Sequence, residues 1–170
     1  MANVYVNTNM AACGGLVAAM ILASLLYGKV DLTLALNGAL AGLVSITAGP
    51  DVATPLQAIL IGAIGGILCT LAIPLLDKLK IDDVVGAISV HLVAGIWGTL
   101  VVGIPGLNGS GDFMTQLIGV VVIGVFVTVV SAIVWLVLKA VTGLRPSEEE
   151  EMTGLDVSEL GMEAYPEFRN

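Results

Sequence analysis

Five apolar stretches, cut by short polar connections, decide what this chain can fold into. They run over residues 4–27, 32–48, 55–76, 84–104 and 113–141. About 20 apolar residues cross a ~30 Å hydrocarbon core as a helix, because each backbone polar group must be satisfied internally there. The second stretch is short for a span, and the fifth is long enough to tilt. The expected architecture is all-α: a polytopic membrane protein with five transmembrane helices over residues 1–142, followed by an acidic cytoplasmic tail over 143–170.

Composition excludes most alternatives. A mean hydropathy of +1.01 and 57% hydrophobic residues do not describe a soluble domain. The net charge of −8 is concentrated at one end, since eight of the 14 acids lie from Glu148 onward. Six basic residues without a patch give nucleic acid nothing to bind. Cys13 and Cys69 lie inside apolar runs with neither CxxC nor His spacing, so they read as small packing residues and not as a disulfide or metal pair. No phosphate loop, nucleophile elbow or metal cluster is present, so neither enzyme chemistry nor a cofactor is expected. The N-terminus lacks a basic n-region, so no cleaved signal is expected.

The basic residues set an orientation. Lys29 lies in the first connection, Lys78 and Lys80 in the third, and Lys139 and Arg145 at the end of the fifth stretch. The second and fourth connections, the latter including Ser110, hold no Lys or Arg. With five spans all of these cations fall on one side. The positive-inside rule makes that side the cytoplasm, with the N-terminus outside.

Small residues at i, i+4 mark where helices approach closely. Gly38-x3-Gly42 and Gly62-x3-Gly66 are such motifs, Gly14-x3-Ala18 and Gly15-x3-Ala19 are weaker versions, and Gly95 and Gly98 add a third site. Asn37 beside Gly38 suggests an interhelical hydrogen bond. The fifth stretch, rich in Val, Ile, Leu and Phe, reads as peripheral and lipid-facing, with Trp135 as an interfacial anchor. His91, the chain's single histidine, lies roughly 12 Å inside the fourth stretch. An ionisable group at that depth faces a cavity or another helix. Two roles fit it: a pore-lining group of a transporter or channel, or a neutral histidine hydrogen-bonded between helices.

Past residue 141, Gly143-Leu144-Arg145-Pro146 stops the helix and places a cation at its C-terminal end. Ser147 to Glu150 reads as a capping box opening a short helix that ends at Gly154. Spaced apolar residues, Met152, Leu155, Val157 and Leu160, suit a tail that docks on a partner; a disordered tail fits the composition equally.

Asp82-Asp83-x7-His91-x3-Gly95-x2-Gly98 resembles the penultimate core helix of the Amt/MEP/Rh ammonium transporter family, in its Amt branch. Asn7-Thr-Asn-x-Ala-Ala is similar to the start of that family's seventh helix, and Leu36-Asn-Gly-Ala-Leu-Ala-Gly-Leu-Val-Ser-Ile-Thr47 to its eighth. Gly143-Leu-Arg145, the glutamate run, Gly154-Leu-Asp156 and Ala164-Tyr165 follow its cytoplasmic tail. The resemblance implies an eleven-helix fold of two inverted five-helix repeats, a homotrimer, and a pore through each subunit. Ammonium would lose its proton and cross as ammonia, the proton moving separately. His91 matches one of two pore histidines, Thr47 a threonine close to that pair, and Arg145, Gly154, Asp156 and Tyr165 the tail elements. A PII-type nitrogen regulatory protein would be the tail's partner.

Two departures qualify these implications. Only the family's helices seven to eleven are matched, so the chain reads as a C-terminal part with four of the five helices of one repeat. Such a part is expected to be inactive and poorly stable alone, with the faces carrying Gly38, Gly62 and Gly95 left against lipid. The tail also reads Leu160-Gly161-Met162-Glu163 where the family usually has His-Gly-Glu. Two further readings stay open: an unrelated channel or transporter with a histidine proton relay, and a non-transporting membrane sensor or scaffold acting through its tail.

Overall fold

The computed structural model describes residues 1–109 and 111–168; Ser110 lies outside them. The described residues form helices α1 (Ala2–Tyr27), α2 (Leu32–Ile46), α3 (Pro55–Lys78), a π-helical segment Ile88–Val93 continuing into α4 (Ala94–Val101), α5 (Phe113–Val141), α6 (Glu148–Thr153) and α7 (Leu155–Leu160), then a 3-10 turn at Pro166–Phe168. The chain is all-α, and α1, α3 and α5 are long and apolar enough to cross a membrane. It divides into two compact units, Met1–Ile123 and the residues from Gly124 onward.

The starts of α2, α3 and α5 have local causes. Asp31 Oδ1 accepts from the Leu34 N–H at 2.9 Å to open α2. Thr54 and Gln57 form a reciprocal capping box ahead of Pro55, which needs no N–H in the first turn. Asp112 Oδ2 accepts from the Thr115 N–H at 2.8 Å to open α5. Helix α1 ends at Gly28, whose φ of 72° is one that side chains avoid.

In the first unit α1 packs against both α2 and α3, and α2 lies on α4. The contact surface is made of glycine and alanine. A Cβ added at Gly62 or Gly42 would meet the Ala11 carbonyl oxygen, at Gly15 the Gly38 carbonyl, and at Gly66 that of Gly15. Ala11, Ala19, Ala41 and Ala58 are fully buried between these backbones. Small side chains let backbones touch where lipid gives no hydrophobic drive for helices to associate. Polar links then close one end: Asn7 Nδ2 donates to the carbonyls of Pro50 (2.8 Å) and Ala53 (2.5 Å), Asn108 Nδ2 to that of Gly49 (3.0 Å), and Gln57 Nε2 to that of Gly106 (2.9 Å). The second and fourth connections and the N-terminus therefore share one end of this bundle. Tyr27, Lys29, Asp31, Asp77 and residues 83–86 line one cavity at the other.

Several expectations need correction. The stretch 84–104 is helical only over Ile88–Val101 with Ala87 as its N-cap, because Gly86 turns at φ 75° and Asp83 caps the helix late. His91 thus stands in the opening turns of its helix, not eight residues along it. Gly38 and Gly62 are buried against Ala19, Gly15 and Ala11 of this same chain, so their faces are not left to lipid. Gly95 makes no close approach; a Cβ there would find only Val44 Cγ1 at 3.7 Å, an ordinary contact. Cys69 is buried but Cys13 is exposed, so only Cys69 acts as a packing residue. Helix α5 has no buried residue, as its uniformly bulky sequence predicts.

In the second unit, Ser147 and Glu150 form the capping box that opens α6, and Gly154 ends it at φ 98°. The Arg145 guanidinium pairs with Glu151 at 2.8 Å on an exposed surface, where such a pair contributes little. Asp156 Oδ2 accepts from the Ala164 N–H at 2.9 Å, folding residues 161–164 back onto α7. That donation holds the Asp156 carboxyl below its ordinary range. Tyr165 is 70% exposed. Among the described residues the tail is therefore built of short capped helices.

Candidate functional site

His91 lies on a π-helical turn, a wider register in which the backbone bonds skip one extra residue. Such turns are rare and recur at functional sites, because they rotate a side chain away from the face an α-helix would give it. The imidazole is exposed and makes no hydrogen bond among the described residues. The interhelical packing role for His91 therefore has no support within this bundle.

What holds the turn is Asp83. Its Oδ1 accepts from the Ile88 N–H at 2.9 Å, and its Oδ2 from the Ser89 N–H and Oγ–H, both at 3.1 Å. Both carboxylate oxygens are thus committed to the first free N–H groups of the helix, where the dipole also favours an anion. Partial burial pushes the Asp83 carboxyl up, but these donations outweigh it and hold the group below the ordinary aspartate range. Ser89 and Val90 on the same turn are fully buried, against Cys69 and Ala41 in the case of Val90.

A depressed folded-state value means the stabilisation exists above the unfolded value, about 4, and is lost as pH falls through the folded one. Asp83→Ala should lower stability by about 1 kcal/mol at pH 7, with the gap to the unmodified protein narrowing as pH falls through the folded-state value. Thermal unfolding of both proteins in detergent at pH 7, 5 and 3 would measure it. Equal midpoints at pH 7 would mean the cap contributes nothing.

The helix is seated by glycine contacts. A Cβ on Gly98 would lie 2.6 Å from the Ser45 carbonyl oxygen, and one on Gly86 2.8 Å from Asn37 Nδ2. These two contacts make α4 run parallel to α2 and set His91 level with the middle of α2. Thr47 lies beyond Ser45, toward the 49–54 connection. Its hydroxyl donates to its own helix at Leu43 (2.7 Å), and no hydrogen bond joins it to His91 among the described residues. Asn37 makes no interhelical hydrogen bond among them either; its amide rests on Gly86. The Trp97 indole N–H donates to the Ile61 carbonyl at 3.0 Å, tying α4 to α3. The π turn and the Trp97 link carry no sequence signature and were not foreseen, although Asp83 six residues before Ser89 was visible as an acid at the helix start. No group of residues able to hold a metal ion occurs among the described residues.

Comparison with known proteins assigns the family. The Ammonium Transporter Family profile matches residues 1–165. The chain is 39% identical to ammonium transporter Amt2 of Archaeoglobus fulgidus, with 95% of this chain and 38% of that protein aligned. It is 40% identical to ammonium transporter Amt1 of Haloferax mediterranei, over 95% and 32%. Among solved structures, a protein described as Sensor Amt Protein superposes with a TM-score of 0.86 at 37% identity, covering 93% of this chain and 42% of that one. Mep2 of Saccharomyces cerevisiae gives 0.75 at 28% identity, over 86% and 37%. The chain thus spans about a third of the length of these curated relatives. A profile match over residues 1–165, together with this superposition, places the chain in the ammonium transporter family.

Proposed function

We propose that this chain supplies one wall of an ammonium-conducting pathway in a cell membrane, with His91 as the pathway group. The observation that carries the reading is His91 itself: exposed, without a hydrogen-bond partner among the described residues, and held on a rare π turn by Asp83. Moving a neutral molecule through hydrocarbon costs far less than moving a bare cation, so a pathway lined by an imidazole suits ammonia with its proton handled separately. Thr47 would line the same route nearer the 49–54 connection. The rest of the pathway would come from sequence that aligns with the other two thirds of the relatives, the whole assembling as a trimer. Arg145, Gly154, Asp156 and Tyr165 would form the tail's contact surface for a PII-type regulator.

The test is methylammonium uptake in cells lacking other ammonium transporters. The 170-residue chain alone should give no saturable uptake; joined to the N-terminal two thirds of a relative such as Archaeoglobus Amt2, it should. Absence of uptake from a membrane-localised, trimeric fusion would reject the reading. A second reading, a membrane sensor, is favoured by the tail's capped structure and the likeness to a protein described as a sensor. It predicts a tail that binds a regulator in a fusion with no flux.

The orientation reading places the 49–54 connection outside. With Cys13 and Cys69 removed, a cysteine at Asp51 should react with an impermeant thiol reagent in intact cells, and one at Lys80 only after permeabilisation. The reverse pattern would overturn the positive-inside assignment.

A further inference from the structure

A cavity of about 400 Å³ opens at the end of the first unit where the first and third connections meet. His91 does not line it. Asp31, Asp77 and Asp83 bring three carboxylates to its wall against the single ammonium of Lys29. Asp83 and Asp31 are fixed by the helix starts they cap, so their charges are held in place and are not free to swing into solvent. The carboxylate of Asp77, in the last turn of α3, has no ion-pair or hydrogen-bond partner among the described residues.

The second observation is independent of this charge. Asn37 lines the same cavity, is only 6% exposed, and its side-chain amide neither donates nor accepts a hydrogen bond among the described residues. Its amide is held in position by Gly86, where a side chain would collide with it. The amide keeps access to the cavity it lines, so a polar group placed there can bond to it without displacing a protein partner. The remaining wall is apolar, with Tyr27, Ile73 and Val85 prominent. The volume is about 13 times a water molecule's ~30 Å³ share of liquid, too large for a bare ion to fill.

We propose that this cavity binds a small organic cation: a primary ammonium carrying an apolar body of a few carbons. The ammonium would sit between the Asp77 carboxylate and the Asn37 carbonyl oxygen, with the carbon chain against Tyr27, Ile73 and Val85. An anion is disfavoured by three carboxylates against one lysine, and an inorganic cation would leave the apolar wall uncovered.

The experiment is titration calorimetry on the 170-residue chain in detergent, using n-butylammonium chloride at constant ionic strength. Ammonium chloride and sodium butyrate are the comparators. Saturable butylammonium binding is expected, with ammonium at least about tenfold weaker and butyrate silent. Asp77→Asn should weaken butylammonium at least about tenfold; Asp77 is exposed, so its thermal midpoint should not move. Asn37→Leu should weaken it comparably, and His91→Ala should leave it unchanged. The proposal is overturned by ammonium binding as tightly as butylammonium, by butyrate binding equally, by unaffected Asp77 and Asn37 variants, or by the absence of saturable heat.

Discussion

Gly62→Ala is expected to separate α1 from α3 and to cost about 3 kcal/mol or more, the upper end of what overpacking does. The added methyl would collide with the Ala11 carbonyl oxygen, and it would lie 2.6 Å from the carbonyl carbon and 2.7 Å from the Cα of that residue. All three are backbone atoms of a helix pinned on two sides, so no side chain can turn aside to relieve the overlap. Natural domains are stable by only about 5–15 kcal/mol, so the loss should appear as aggregated protein after detergent extraction. The same substitution at Gly124 is the control. A Cβ there meets nothing within 4 Å, so alanine should be neutral or improve stability by about 0.5–1 kcal/mol through its better helix propensity. Size-exclusion profiles and thermal midpoints measured side by side decide the matter. If Gly62→Ala and Gly124→Ala behave alike, the backbone contact between α1 and α3 does not hold the bundle.

The second large effect concerns flux. In a complete, trimeric transporter carrying this segment, His91→Ala should reduce ammonium transport per assembled molecule by about tenfold or more, equivalent to at least ~1.4 kcal/mol at the barrier. The structure separates this from a folding defect. His91 is exposed and breaks no hydrogen bond among the described residues when truncated, whereas its neighbours Ser89 and Val90 are fully buried. Thermal stability should therefore hold while flux falls. His91→Asp should instead change selectivity, because a carboxylate stabilises a cation that a neutral imidazole does not. Unchanged flux and selectivity in well-assembled His91→Ala protein would remove the residue from the pathway.

How far the sequence could be read depended on whether a feature was local. Lengths of apolar runs located α1, α3 and α5 to within a few residues, since the cost of an unpaired backbone group in lipid leaves few alternatives. Ser147 with Glu150 gave the start of α6, because a capping box is closed within four residues. The start of the fourth helix was not legible in the same way. Val84 and Val85 are as apolar as any core residue, and only the Asp83 carboxylate reaching residues 88 and 89 shows that the helix waits until there. Gly95 and Gly62 look alike in sequence; which of them touches a neighbour depends on how helices are rotated. Asn37 was read as a bond between helices, but its partner position is occupied by Gly86, which has no side chain to offer. His91 was visible as an anomaly from its depth and its solitude. Its π register was not, because that is set by a carboxylate eight residues earlier and by packing against Cys69.

The polar clasp at the N-terminal end of the bundle has a bearing on biosynthesis. Asn7 reaches the carbonyl of Ala53, 46 residues downstream, and Gln57 reaches that of Gly106, 49 residues on. At roughly 5–20 residues per second, the ribosome needs about two to nine seconds to supply the acceptor for Asn7. During that interval α1 holds an unsatisfied amide near one end of a hydrophobic helix. The insertion machinery, or water at the membrane surface, has to host that group until the 49–54 connection emerges. Neither clasp can close before its acceptor has been made, so this end of the bundle is completed only after the 49–54 and 105–109 segments have been synthesised.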